Sequence, residues 1–266
     1  MCQNCPEGSR MKPKRKAKMM QVRTDLPIEE RNISMSNALA RGAQGLSLSQ
    51  KRIVALAMAK TDSIPAKELI AGQVGGWRVR LFAHEYVETY EVDPNTAYEQ
   101  LQAGCRSLLR CLWRTVNEGP KGLLVREGPW CILAEYSKGE GRVDLAFSPH
   151  VAPHLLALRS HFTTYKLKQA AALRSIYAWR LFECLQSWHS KGRWTPTIEE
   201  FHKAMEAPDS CTKDFGQIKR RIIEPAVKEL REKDGLLLDW ESIKAGRKVT
   251  GLDFKFRPDP QGRLAL

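Results

Sequence analysis

FGQIKRRIIEPAVKELR, residues 215–231, is the stretch whose reading decides the fold. Stepped at about 100° per residue from Ile218, the residues Phe215, Ile222, Ile223, Ala226, Val227 and Leu230 gather on one side of a helix. The opposite side carries Gln217, Arg220, Arg221, Lys228 and Arg231, with Lys213 just upstream and Glu224 as the acid in the stripe. A helix docked by one face with a cationic face outward has the shape to enter a DNA groove. A solvated surface helix has the same pattern. Lys219 falls at about 100°, among the apolar residues, so either the helix starts later or the lysine stem packs inward and its ammonium snorkels. It therefore ranks below Arg220 and Arg221 as a base contact. Pro225 removes a hydrogen bond and crowds the carbonyl of Arg221, which predicts one kinked helix; a short helix beginning at Pro225 is the alternative.

Downstream, Asp234-Gly235 ends this helix. Strands over 236–240 and 249–256 close the unit, joined by a turn made cationic by Lys244, Arg247 and Lys248. Upstream, Thr197 and Glu200 have capping-box spacing for a short helix to about Met205. A long helix is expected over 166–190, on the spacing of Leu173, Ile176, Tyr177, Leu181, Leu185 and Trp188. Helix, helix, basic helix and hairpin form the winged-helix order, with the third helix as groove reader and the hairpin as wing.

Residues 33–147 repeat that logic. Ser47 and Gln50 form a second capping-box pair before an apolar run, and 77–82 alternates as a strand. A helix is expected over 83–92. Asp93-Pro94 then opens another, running to about Trp113, with Ala97, Leu101, Cys105, Leu108 and Leu112 inward. Asn95, Glu99, Arg106 and Arg110 line its other face. Strands over 130–136 and 142–147 follow around a Gly-rich turn, and 148–160 is a connector with a short apolar helix. The expected architecture is α+β: two tandem winged-helix domains, 31–158 and 159–258. A disordered basic tail over 1–30 and a short tail over 259–266 flank them. Between Arg10 and Lys18 lie six basic residues and no acid. Such a tail adds non-specific phosphate affinity or merely solubilises the chain.

Composition is consistent with a polyanionic partner. In 266 residues, 43 Lys and Arg face 30 Asp and Glu, a net charge of +13, which favours nucleic acid over the competing anionic membrane surface. No apolar run is long enough to span a bilayer and no secretory h-region is seen. Seven cysteines, an odd number placed mostly in expected helices and strands, suit a reducing cytoplasm. Cys2 and Cys5 are a lone C-x-x-C, and His150 and His154 lack a third ligand, so neither reads as a metal site. No phosphate-binding P-loop occurs. Tyr86 and Tyr90 have a spacing used by tyrosine-dependent DNA-nicking enzymes, but the metal-binding His-apolar-His pair is absent and packing is the better reading. No catalytic residues, metal or cofactor are expected.

Four ordered blocks carry a resemblance. SNALARGAQGLSLSQKRIVALAMAKTD (36–62), FTTYKLKQAAALRSIYAWRLFECLQSW (162–188), FGQIKRRIIEPAVKEL (215–230) and GRKVTGLDFKF (246–256) resemble the iteron-binding plasmid replication initiators. The resemblance implies a tandem winged-helix protein that binds double-stranded DNA at direct repeats of a plasmid origin. It also implies melting of adjacent DNA and recruitment of the host replicative helicase and host initiator. A dimer formed through the first domain would repress the protein's own gene. Carried onto this chain, Lys213, Gln217, Arg220 and Arg221 are the prime repeat readers, and Asn95, Arg106 and Arg110 the secondary ones. Lys219, Lys228, Lys244, Arg247 and Lys248 complete the candidate DNA-contacting set. The rivals are a dimeric winged-helix repressor without initiator activity and the tyrosine-dependent nicking enzyme.

Overall fold

A computed structural model describes residues 26–62, 77–156, 161–233 and 235–258. Cys2, Cys5, Asp234, residues 1–25 of the tail expected over 1–30 and the tail over 259–266 lie outside the described residues; the end of the first tail is ordered instead, with Ile28–Glu30 in a single 3-10 turn and Glu30 paired with Lys166 and Lys168 at 2.7 and 2.6 Å.

The first unit runs β1 (Asn32–Ser36), α1 (Asn37–Arg41), α2 (Leu48–Lys60), β2 (Trp77–Phe82), α3 (Ala83–Tyr90) and α4 (Pro94–Leu108). Hairpins β3 (Leu112–Gly119)–β4 (Gly122–Pro129) and β5 (Cys131–Ser137)–β6 (Arg142–Phe147) follow, then α5 (Ala152–Leu155). The second part runs β7 (Phe162–Lys166), α6 (Leu167–Ala171), α7 (Ile176–Gln186), β8 (Arg193–Trp194), α8 (Ile198–Met205) and α9 (Asp209–Thr212). It ends with α10, made of Phe215–Ile218, Lys219–Ile223 and Glu224–Lys233, and the long hairpin β9 (Leu236–Ala245)–β10 (Lys248–Pro258). The two three-stranded sheets have the orders β2-β6-β5 and β8-β10-β9. In each, a strand between two helices (β2 between α2 and α3, β8 between α7 and α8) pairs with the last strand of the hairpin. The winged-helix topology therefore occurs twice.

The local signals act where the sequence puts them. Ser47 accepts the Gln50 N–H while the Gln50 side chain accepts the Ser47 N–H at 2.7 Å, and Thr197 with Glu200 does the same at the start of α8. Asp93 caps α4 at Asn95 with Pro94 in the first turn, where a missing N–H costs nothing.

Two helix expectations are corrected. The helix from Pro94 ends at Leu108, not near Trp113, and Leu112 is 54% exposed at the start of β3. The signal for β3–β4 was hidden because its outer face is apolar: Val116, Leu123 and Val125 are exposed opposite buried Trp113 and Thr115, so no apolar–polar alternation marks it. The long helix expected over 166–190 is broken into α6 and α7, and its first residue, Lys166, ends β7. Ser175 stops the chain and caps the next helix by accepting the Tyr177 N–H and Ala178 N–H. The apolar spacing crosses the break because both pieces bury against one core, which includes Leu167, Ala170, Leu173 and Leu181.

Through Pro225 the helix is continuous. Lys219–Ile223 is a π turn in which the Glu224 N–H reaches back five residues to the Lys219 carbonyl. That wider turn immediately before Pro225 absorbs the missing donor and the crowded carbonyl.

The boundary expected at 158–159 is bridged on both sides. β7 pairs antiparallel with β1 over Asn32↔Lys166 to Ser36↔Phe162. Beside this pairing, fully buried Lys51 of α2 lies 2.5 Å from Glu183 of α7. Gln44 accepts from Lys51 at 2.7 Å and donates to Glu183 at 3.1 Å, and Tyr165 donates to Glu183 at 2.7 Å. Arg180 donates to the carbonyls of Ala40, Gly42 and Ala204, and Glu206 accepts the Gln44 N–H and Gly45 N–H. Every buried charge here has partners, as burial requires. The chain passes this junction closely at Gly42, where a Cβ would meet the carbonyl oxygens of Ala38 and Arg114 at 2.6 Å each. Gly42→Ala is expected to lower unfolding stability by about 1–3 kcal/mol through overpacking, read by urea denaturation; an unchanged midpoint would show the backbone yields freely.

Candidate nucleic-acid interface

The apolar face of α10 seats Ile218, Ile222, Ile223, Ala226, Val227 and Leu230 in the core, each 3% exposed or less. That burial turns the other face to solvent. Arg220 and Arg221 are exposed, and among the described residues neither has a carboxylate within ion-pair distance. Arg220 makes a long contact (3.4 Å) with the Gly216 carbonyl. Gln217 is half-buried one turn earlier.

Between α10 and the wing lies an open cleft. Lys213, Lys219, Lys244, Arg247 and Lys248 line it, with Trp240 and α8 residues Glu199 and His202. Lys219, ranked low from its helical phase, stands in this cleft, with its side chain about half exposed. Its ammonium lies 6.0 Å from the Trp240 ring centroid and 3.5 Å from Glu224. The π turn takes one residue more than an α turn, which shifts the phase of Lys219 relative to a uniform helix. Burial lowers the pKa of the His202 imidazole below 6.5, so at neutral pH it offers hydrogen bonding rather than charge. Trp240 and His202 carried no sequence signal, because their placement depends on how the hairpin and α8 pack against α10.

Other candidates stand apart. Lys228 lies about 12 Å along the helix from Arg220 at 1.5 Å per residue, and pairs loosely with Glu232 at 3.9 Å. Arg231 is turned to the hairpin, donating to the Leu238 carbonyl at 2.7 Å and to Asp239 at 3.0 Å, so it braces the wing. In the first unit, Asn95 sits at the N-terminus of α4 bonded to Asp93, while the Arg106 guanidinium lies 5.8 Å from the Tyr136 ring centroid near the other end. Arg110 is exposed just beyond the helix. Asn95 and Arg106 are about 16 Å apart along the axis, so only an extended ligand can span both.

The wing is anchored by β8. Arg193 donates two bonds to Asp253 at 2.7 and 2.9 Å, with Thr195 adding a third at 3.3 Å. The guanidinium holds the Asp253 carboxyl below its ordinary 3.8. A depressed carboxyl stabilises the fold at pH values above the unfolded-state pKa and loses that contribution as pH falls through the folded one. The difference in thermal midpoint between the native chain and Asp253→Asn should therefore be constant from about pH 7 to 5 and shrink on further acidification. A difference that grows with acid would overturn the assignment.

The remaining motifs are structural. Tyr86 and Tyr90 are buried, the Tyr90 hydroxyl donating to the Arg52 carbonyl at 2.7 Å, so neither reaches a phosphodiester. His154 shares a 2.9 Å bond with Ser36 and its ring lies 5.3 Å from that of Trp113. No group of three metal-binding side chains occurs among the described residues, and no helix there is long and apolar enough to cross a membrane.

Comparison with known proteins agrees with the duplicated topology. Residues 32–186 match the family described as "Initiator Replication protein, WH1", and residues 197–256 match "Initiator Rep protein, WH2". An uncharacterised 27.6 kDa protein of Escherichia coli is 26% identical over 230 residues, covering 85% of this chain and 95% of that one. A probable replication protein of Bifidobacterium longum is 27% identical over 99 residues, covering 37% of this chain and 33% of its own length. The crystal structure of Pi initiator protein in complex with iteron DNA shares the fold, with a TM-score of 0.69 at 21% identity over 87% of this chain and 99% of the Pi chain. With both winged-helix halves matched in order and the first match alone spanning more than half its length, the chain belongs to the initiator replication protein family.

Proposed function

We propose that this protein is a non-enzymatic, cytoplasmic initiator of plasmid replication that binds direct repeats at its origin. The observation that carries the reading is the juxtaposition of outward Arg220 and Arg221 with the cationic cleft between α10 and the wing. The helix face suits base edges in the major groove, and Lys244, Arg247 and Lys248 suit phosphates or the minor groove. Asn95, Arg106 and Arg110 extend the contact along the duplex from the first unit. The Pi protein, of like fold, was crystallised with iteron DNA, which supports the same ligand class here. Repeats spaced by about 10.5 or 21 bp would place successive copies on one face of the duplex, with DNA distortion offset by the contacts that bending permits, and melting of the adjacent DNA belongs to the same reading.

Autorepression as a dimer and recruitment of the host helicase and host initiator belong to the same reading. Exposed Ile132 and Leu133 on the edge strand β5 support self-association through the first unit. Footprinting the purified protein on DNA flanking its own gene tests the function. Ordered direct repeats are expected; a single palindrome and no effect on plasmid maintenance would leave a repressor. Retained replication with Tyr86→Phe and Tyr90→Phe is expected, and a covalent DNA adduct would revive the nicking enzyme.

A further inference from the structure

A second groove lies on the other flank of α8. Ile198, Glu199 and His202 turn toward the cleft beside the wing, whereas Glu200, Lys203 and Ala204 turn away from it. There an open hollow of about 960 Å³ separates the hairpin β3–β4 from α1 and the C-terminal end of α8. One wall is aliphatic: Val116, Leu123 and Val125 are 49%, 75% and 44% exposed on one face of the hairpin. The facing wall is cationic, with Arg41 and Lys203 beside Trp188. The Arg41 guanidinium stacks 4.4 Å from the Trp188 ring centroid, and the Lys191 ammonium, on the adjoining hollow, lies 4.6 Å from it.

Among the described residues, no ion pair ties down the cations of that wall. Arg41 is held by the hydroxyl and carbonyl of Ser187, which are neutral. Among the described residues no carboxylate lies within ion-pair distance of Arg41, Lys191 or Lys203. Glu206 also lines the hollow, but both its carboxylate oxygens are turned to the Gln44 N–H and Gly45 N–H, so against Arg41, Arg114 and Lys203 the lining keeps a net positive charge.

We propose that this groove receives an acidic amphipathic segment of a partner protein. An apolar stripe facing a cationic ledge across a groove matches a helix with leucine-like residues on one side and carboxylates along its edge. Duplex DNA fits the groove poorly, since phosphates have no use for three exposed aliphatic side chains and the DNA-directed cations lie across α8. The proposal rests on the initiator reading only for calling the partner a replication protein. The chemistry of the segment comes from the groove itself.

Fluorescence anisotropy of the full-length protein with a labelled Leu/Glu amphipathic peptide tests it, with the charge-reversed Leu/Lys peptide as control. The acidic peptide is expected to bind and the basic one not. Arg41→Gln with Lys203→Glu should weaken the acidic peptide about tenfold or more, as loss of charge-assisted contacts implies. Leu123→Asn, on a mostly exposed site that cannot disturb folding, should also weaken it, and both variants should keep repeat-DNA affinity. Arg220→Ala should do the reverse. Undiminished peptide binding by the two groove variants overturns the proposal, as does loss of peptide binding in Arg220→Ala. Conversion of a dimer to a monomer by Leu123→Asn with unchanged peptide affinity would instead give the groove to a second copy. Failure of the native protein to bind origin repeats while the peptide effects persist would remove the initiator reading and leave the groove assignment standing.

Discussion

Glu183→Ala is expected to lower unfolding stability by about 3–5 kcal/mol, the cost of leaving a buried charge without its partner. Glu183 has no solvent exposure and accepts from Lys51, Gln44 and Tyr165 at once. Burial pushes the Lys51 ammonium below its ordinary value while Glu183 pulls it back. Without the carboxylate, Lys51 either stays charged at high cost or gives up its proton, and Gln44 and Tyr165 each lose a hydrogen-bond partner. Because Gln44 and Gly45 also hold Glu206 beyond α8, the loss should loosen the seating of the second winged helix on the first. Urea denaturation reads the stability, and protease sensitivity near residue 190 reads the loosening. Lys51→Met combined with Glu183→Leu should recover only part of the loss: a buried pair is often replaceable by apolar side chains, but buried Arg180, 3.6 Å from Glu183, then loses its carboxylate partner. A single mutant with a native midpoint would show that the pair contributes nothing.

Arg220→Ala and Arg221→Ala are each expected to cost about 1–3 kcal/mol of repeat binding, roughly a tenfold to hundredfold loss of affinity. Their guanidinium groups are exposed and, among the described residues, have no carboxylate within ion-pair distance, whereas Arg231 is committed to Leu238 and Asp239 and Lys219 lies near Glu224. A free planar fork on the outer face of a groove-reading helix suits guanine edges, and a lysine does not replace it. The loss should therefore be large on the origin repeat and small on a scrambled duplex of equal length. Equal losses on both would assign these arginines to phosphate. Neutralising Lys244 or Lys248 should act differently, weakening all duplexes alike and lowering the salt slope by about 0.9 per contact removed.

Much of this protein is legible residue by residue, for a reason that differs between elements. Ser47–Gln50, Thr197–Glu200 and Asp93–Pro94 encode helix starts because each cap closes within three residues. The wing hairpins are legible because one face packs and the other is wet. Hairpin β3–β4 was not, because its solvent face carries Val116, Leu123 and Val125 and erases the alternation. The break at Ser175 was hidden because helices on either side share one apolar core, so the spacing runs through it. Lys219 was misplaced in phase because a π turn cannot be read from a uniform period.

By itself, then, the sequence determined the helix caps, the winged-helix order, the positive charge and the outward arginines of α10, all set by interactions a few residues apart. Only the tertiary structure decided that β7 pairs with β1, that Lys51 and Glu183 share one buried site, and that Lys219 enters a cleft beside Trp240. It alone placed Arg41, Lys203 and Leu123 around one groove. Those residues lie far apart in the chain, and no local period relates them. Burying α7 against α1 of the first unit and α10 of the second is what brings them together.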